Sequence, residues 1–217
     1  MFNPIILNQM RTNISKAFIL AFSIFFVSCA ATYKPINPPS VYYDSHNLDD
    51  GVSLSYKYDV LREKGNRKYA TKEDNKNIRI VAVKLTNNTD STINVRDLTF
   101  YSGLNPVIPM DPLAIKNSIK QIVPAYLPYL LLTFVNLYVT KTEDGVPTTD
   151  TYRIGLILGP GITIGNMAVA GSANENMLME LNDYYILNKD IHKGETVYGI
   201  IGLKAMGYSP LTVKKKK

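Results

Sequence analysis

Tryptophan is absent from this chain, cysteine occurs once and histidine twice. Each scarcity removes a class of function. The single cysteine, Cys29, cannot close an internal disulfide, so the fold is not a disulfide-stapled scaffold. His46 and His192 have no second ligand at metal spacing, and the acidic residues around His46 (Asp44, Asp49, Asp50) lack the glycine and terminal glutamate of a calcium loop. They read as a solvated acidic turn. Lack of tryptophan argues against a sugar-stacking platform. No Gly-x-Ser-x-Gly elbow occurs, nor a Ser-x-x-Lys nucleophile with supporting partners. Gly159-Pro-Gly-Ile-Thr-Ile-Gly165 is glycine-rich but lacks the lysine of a phosphate-cradling loop. These absences point away from an enzyme, and no metal or cofactor is expected.

Acidic residues are also missing from everything before Asp44. Arg11 and Lys16 precede an apolar stretch, Ala17 to Val27, that suits the hydrophobic region of an export signal and is too short to span a bilayer. Met10-Arg11 would make a more usual start than Met1. The segment Phe26-Val27-Ser28-Cys29-Ala30 resembles the lipobox of bacterial lipoproteins: two apolar residues, a small residue, then the modified cysteine. The family most often has leucine where Phe26 stands. The resemblance implies a signal peptide over residues 1–28, cleavage before Cys29, diacylation of its thiol and acylation of the new amino group. Two or more acyl chains anchor a protein stably. Alanine rather than aspartate after the cysteine implies an outer-membrane lipoprotein, and the lack of early acidic residues a periplasm-facing one.

Removing the signal leaves 189 residues, enough for one domain with a real core. The net charge of +6 falls to +4 without Arg11 and Lys16, and Lys214 to Lys217 account for that remainder. The body is therefore close to neutral and carries no basic stripe for nucleic acid. The lysines read as a solvated tail, 214–217, with anionic lipid as a conceivable contact. Fifteen tyrosines favour a strand-rich chain.

Residues 29–48 carry prolines among small and polar residues and read as an extended tether holding a domain, 49–213, away from the membrane. Val52 to Val60 alternates apolar with polar, as a half-buried strand does. Residues 62–77 are charged and read as a long exposed loop. Ile78 to Leu85 is β-branched on both faces and predicts a central strand, with Thr92 to Val95 as its hairpin partner and Leu98 to Tyr101 as another strand. Asp111-Pro112 predicts a helix start, and Pro124 and Pro128 its end. Ser172-Ala-Asn-Glu175 matches a capping box that would open a second helix. Thr196 to Leu203 and Leu211 to Val213 return to strand. The expectation is a mainly β chain with a helical insertion over 104–188 (α+β): an antiparallel β-sandwich, first and last strands in one sheet, plus two or three helices. The segments Ile78 to Val95 and Ile191-His-Lys-Gly-Glu-Thr-Val-Tyr-Gly resemble bacterial lipoproteins with an immunoglobulin-like β-sandwich. Asp90-Ser91-Thr92 resembles a short O-glycosylation acceptor and reads as an ordinary turn.

Residues 122–139 and 154–171 are each free of charge and 18 long, the lower limit for a membrane span. Gly155-x-x-x-Gly159 and Gly161-x-x-x-Gly165 have the small-residue spacing of packed membrane helices. Pro124, Pro128 and Pro160 oppose that reading, and Ile154 to Ile164 reads equally as two strands around a turn. A buried or partner-covered insertion is preferred. The function expected is that of a non-enzymatic, lipid-anchored envelope protein acting through protein contacts. Its membrane contact would be the acyl chains on Cys29, and its protein partner would bind residues 104–171. The alternative is a lipoprotein that binds an apolar or glycan ligand in a cleft between sandwich and insertion.

Overall fold

The structure is a computed structural model that describes residues 29–144 and 146–216; the expected signal peptide lies outside the described residues. In chain order the elements are β1 (Ser45–Asp49), β2 (Val52–Lys57), α1 (Val60–Glu63), α2 (Arg67–Asn75), β3 (Ile78–Asn87), β4 (Ile93–Asn94), β5 (Leu98–Ser102) and β6 (Asn105–Val107). Then come α3 (Pro112–Ile119), a 3₁₀ helix (Val123–Phe134), β7 (Leu137–Glu143), β8 (Val146–Tyr152), α4 (Gly155–Asp183), β9 (Asp190–Ile191), β10 (Thr196–Lys204) and β11 (Leu211–Lys215). The fold is α+β, with antiparallel strand pairing throughout the described residues. The described residues divide into two compact units: Ile122–Ala170 with Cys29 and Ala30, and Ala31–Gln121 with residues 171–216.

In the larger unit, period-2 alternation sorts strand side chains between two cores. Strand order in the main sheet is β1-β2-β3-β10. Val81, Val83 and Leu85 of β3, with Val52 and Leu54 of β2, meet Leu98 and Phe100 of β5 and Leu211 and Val213 of β11. The opposite face of β3, Ile78, Ile80 and Ala82, is covered by helical residues: Leu61, Tyr69, Ile115, Ile119 and Met177. A strand buried on both sides must be apolar at consecutive positions, which is the pattern this one has.

Several expectations give way. Residues 62–77 are not a loop: α1 and α2 occupy them, with Tyr69, Ala70 and Glu73 buried on one helical face. So narrow a face leaves most positions charged and hides the helical period. Ile93 pairs with Ile191 rather than with β3, because β2 and β10 already fill both edges of that strand. The last strand, β11, pairs with β5 in a second sheet instead of joining the first. It extends through Lys214 and Lys215, so these lysines are strand residues rather than tail. Ser172 caps nothing, because α4 has run from Gly155 and the amides there already have intrahelical partners. Residues 154–171 are accordingly helix, not two strands. Instead of one domain with an insertion over 104–188, residues 104–121 and 171–188 belong to the larger unit. Asp111 does cap α3, its side chain accepting the Leu113 amide at 2.8 Å.

Glu73 on α2 is a buried carboxyl that accepts the Ile80 amide at 2.7 Å. Burial pushes its pKa up to about 7 from an ordinary value of 4.5; Asp59 and Asp74 add to the rise, while the amide and Arg79 oppose it. Between those two values the folded chain binds more protons than the unfolded one. Stability is therefore full below the lower value and falls as pH rises through the higher. Glu73→Gln should remove this fall: thermal unfolding at about pH 8 should show the variant melting higher than the natural chain, with the two converging near pH 5. An unchanged pH dependence would contradict the assignment.

Candidate functional site

The chain leaves the larger unit near Ala31, Gln121 and Gly171, and a buried polar knot lies at these exits. Ala31 donates its amide to Gln121 Oε1 at 3.0 Å, and Gln121 Nε2 returns a bond to the Ala31 carbonyl at 2.6 Å. Asn174 of α4 accepts the Gln121 amide at 2.8 Å and the Tyr69 hydroxyl at 3.1 Å, and donates to the Gln121 carbonyl at 2.9 Å. One turn and a half further along, the Glu180 carboxylate accepts the Tyr33 hydroxyl and the amides of Ile36 and Asn37, at 3.0 and 2.7 Å. Burial first, then the charge of Glu180, holds the Tyr33 hydroxyl far above its ordinary pKa, so it donates at any accessible pH.

This knot corrects the reading of residues 29–48 as a tether. Tyr33, Ile36 and Pro38 are buried, and 45–49 form β1. Only Ala30, Ala31 and Thr32 separate Cys29 from the first buried side chain. A fully extended chain of that length spans about 14 Å. Glu180, Gln121 and Asn174 were not singled out from sequence. For Glu180 the signal was a lone acidic residue between the apolar Met177 and Leu181 of one helical face; Gln121, in the connection after α3, had no such signal.

In the smaller unit, Pro124 and Pro128 withhold backbone donors and the segment winds as a 3₁₀ helix. Three residues per turn align Val123, Tyr126, Tyr129 and Leu132 on one side, where they pack with Ala30, Ile162, Met167 and Ala170. The Tyr126 and Tyr129 rings stack at 6.4 Å. Gly155 and Gly159 allow α4 to approach this helix closely: a Cβ on Gly155 would lie 2.3 Å from the Leu132 carbonyl oxygen, and one on Gly159 2.3 Å from Thr133 Oγ1. The first Gly-x-x-x-Gly spacing thus serves packing inside the unit. The second, Gly161 and Gly165, meets nothing within 4 Å.

The other sides of these helices are apolar and uncovered. Of the 21 exposed large hydrophobic side chains among the described residues, 13 lie between Ile122 and Ile164. Phe134 is 80% exposed, Ile157 79%, Ile164 67% and Leu131 64%. Burying one such side chain is worth about 1.5–3 kcal/mol, so a surface of this composition favours a covering phase or partner. The polar groups of the helical segment are satisfied locally: Thr163 donates to the Gly159 carbonyl at 2.8 Å and Asn166 to that of Ile162 at 2.9 Å. Asn166 Oδ1 accepts the amide of Ala30 at 2.6 Å, which fixes the start of the described chain against α4.

The remaining candidates lie elsewhere. Cys29 is exposed. His46 sits on β1, its Nδ1 3.0 Å from Ser55 Oγ, while Asp44 pairs with Lys57 at 2.5 Å. His192 Nδ1 lies 3.1 Å from Thr92 Oγ1. Among the described residues no three His, Cys, Asp or Glu side chains cluster to hold a metal. A cleft of about 290 Å³ opens beside β5 and β6, floored by Leu98, Phe100 and Val107, with Arg96 and Lys216 at its margin.

Gly159→Val should wedge the 3₁₀ helix away from α4, and hydrogen exchange at 123–134 should accelerate while β3 and β10 stay protected. Gly161→Ala, in open space, should leave exchange unchanged and raise helix stability by about 0.5–1 kcal/mol. Equal effects of the two substitutions would contradict the packing described. No protein family, curated protein or solved structure matches this chain.

Proposed function

We propose that this chain is a non-enzymatic, lipid-anchored envelope protein of a bacterial outer membrane that acts through protein contacts. The observation that carries the reading is the docked start of the chain: residues 31–37 are hydrogen bonded into the larger unit just after a cysteine placed as in a lipobox. Acyl chains on Cys29 would hold that unit within about 14 Å of the bilayer, facing the periplasm, and raise its effective concentration toward membrane partners. Among residues 104–171, those of the larger unit that suit a protein partner are Leu104 and Ile108, 95% and 90% exposed beside the edge strand β6. The finer fold reading, an immunoglobulin-like sandwich, draws support from two antiparallel sheets sharing the core around Phe100.

The cleft beside β5 favours a second reading, a carrier of an apolar ligand with an anionic end that Arg96 and Lys216 would meet. In-cell crosslinking separates the two. A stoichiometric envelope partner crosslinked near Leu104 and Ile108 supports the first; no specific partner, with thermal stabilisation by a fatty acid, supports the second.

The anchor has its own test. Mass spectrometry of the protein extracted from membranes should show an N-terminus at Cys29 carrying a thioether-linked diacylglycerol. A mature N-terminus elsewhere, or an unmodified Cys29, would overturn the anchor.

A further inference from the structure

The smaller unit leaves an apolar surface on two helices, and Ala30, the residue after Cys29, belongs to the same unit. Ala30 is pinned to Asn166, midway along the part of α4 that belongs to this unit. Immediately before Ala30 come Cys29 and the apolar run Ala17 to Val27. On the reading of Cys29 as the acylated residue, the membrane-seeking group begins one residue before the contact with this helix. The exposed side chains of the unit's two helices (Ile157 and Ile164 on α4, Leu131 and Phe134 on the 3₁₀ helix) carry no charge, and neither does any residue from 154 to 171 or from 122 to 139.

We propose that the surface formed by the 3₁₀ helix and residues 155–170 of α4 lies in the lipid leaflet that holds the anchor, as a shallow, non-spanning insertion. The proposal rests on the reading of Cys29 as a membrane attachment point. It concerns a lipid surface, not a protein groove. By length and composition α4 could cross a bilayer, and only 22% of its most apolar window is buried. Its later residues are committed elsewhere: Ala173, Met177 and Leu181 lie in the core of the larger unit and Glu180 holds the chain at Tyr33. The portion left, 155–170, rises about 24 Å, short of the roughly 30 Å of hydrocarbon that a span must cross. A single leaflet is therefore the depth available to it. Lipid contact also requires that polar groups be satisfied within the protein, and Thr163 and Asn166 are. Exposed Tyr138 and Tyr152 of the β7–β8 hairpin suit the headgroup region, where an apolar ring and a polar tip are both accommodated.

The test uses the mature full-length chain with Cys29→Ser, which cannot be acylated, floated with vesicles of phosphatidylethanolamine and phosphatidylglycerol. The Cys29→Ser chain should float with the vesicles, and adding Ile157→Lys and Ile164→Lys should weaken that binding at least about tenfold. Both isoleucines are exposed, so the larger unit should melt unchanged; Leu131→Lys with Phe134→Lys gives a second variant on the other helix. Absence of flotation, or flotation unaffected by either pair, overturns the proposal. So does a Cys29→Ser chain that ignores vesicles and forms a dimer dispersed by the lysine pairs, which would make a second copy the occupant. The anchor itself is read separately, from the mass of the Cys29 residue in cells, so the two failures are distinguishable.

Discussion

The hydrogen bonds that Glu180 and Gln121 make to the chain between Ala31 and Asn37 fix the segment that follows Cys29 onto the larger unit. They satisfy the backbone of a segment whose composition, small residues and prolines, would otherwise leave it extended in water. Each such bond contributes about 1 kcal/mol, and leaving a buried carboxylate or amide unpaired would cost more than that. The burial of Tyr33 and Ile36 adds the apolar share. A lipoprotein with a long spacer samples a volume above its membrane. With three residues between Cys29 and Tyr33, an anchor at Cys29 of the kind proposed would leave no such freedom, and a partner would approach a domain held at the lipid surface.

The same short connection gives meaning to the uneven distribution of apolar exposure. The larger unit sorts its hydrophobic residues by strand alternation into two cores on either side of β3 and exposes few of them. The smaller unit uses its tyrosines and glycines to pack two helices on each other and leaves leucine, isoleucine and phenylalanine outward. A soluble domain would gain by the opposite arrangement. The difference is physical sense rather than defect if the first unit faces water and the second faces lipid.

Legibility from sequence followed the range of the interactions. Local signals were readable: the Asp111-Pro112 helix start, and the two-faced apolar run of β3, though not its partners, since β3 pairs with β2 and β10 rather than with Thr92 to Val95. The helical nature of 154–171 was ambiguous because glycine and Pro160 lower helix propensity, and the contact that compensates, Gly155 and Gly159 against Leu132 and Thr133 of the 3₁₀ helix, is not local in sequence. The docking of residues 31–37 was invisible, since Tyr33 and Glu180 are 147 positions apart and neither carries a motif. Helix α2 escaped notice because three buried positions suffice to hold it. The charge-free segments and Cys29 are what the proposed membrane reading is drawn from, while the division of 104–171 between two units was not legible.

The central claim, that the smaller unit lies in the leaflet beside the anchor, is most directly tested by depth. Since the chain has no tryptophan, a single Ile157→Trp substitution is an unambiguous reporter. On vesicles containing brominated lipids, its fluorescence should be quenched strongly by bromines near the headgroup end of the acyl chains and weakly by bromines at the tail end, while a Leu104→Trp reporter on the larger unit stays unquenched. A reporter at 157 that no brominated lipid quenches would contradict the account.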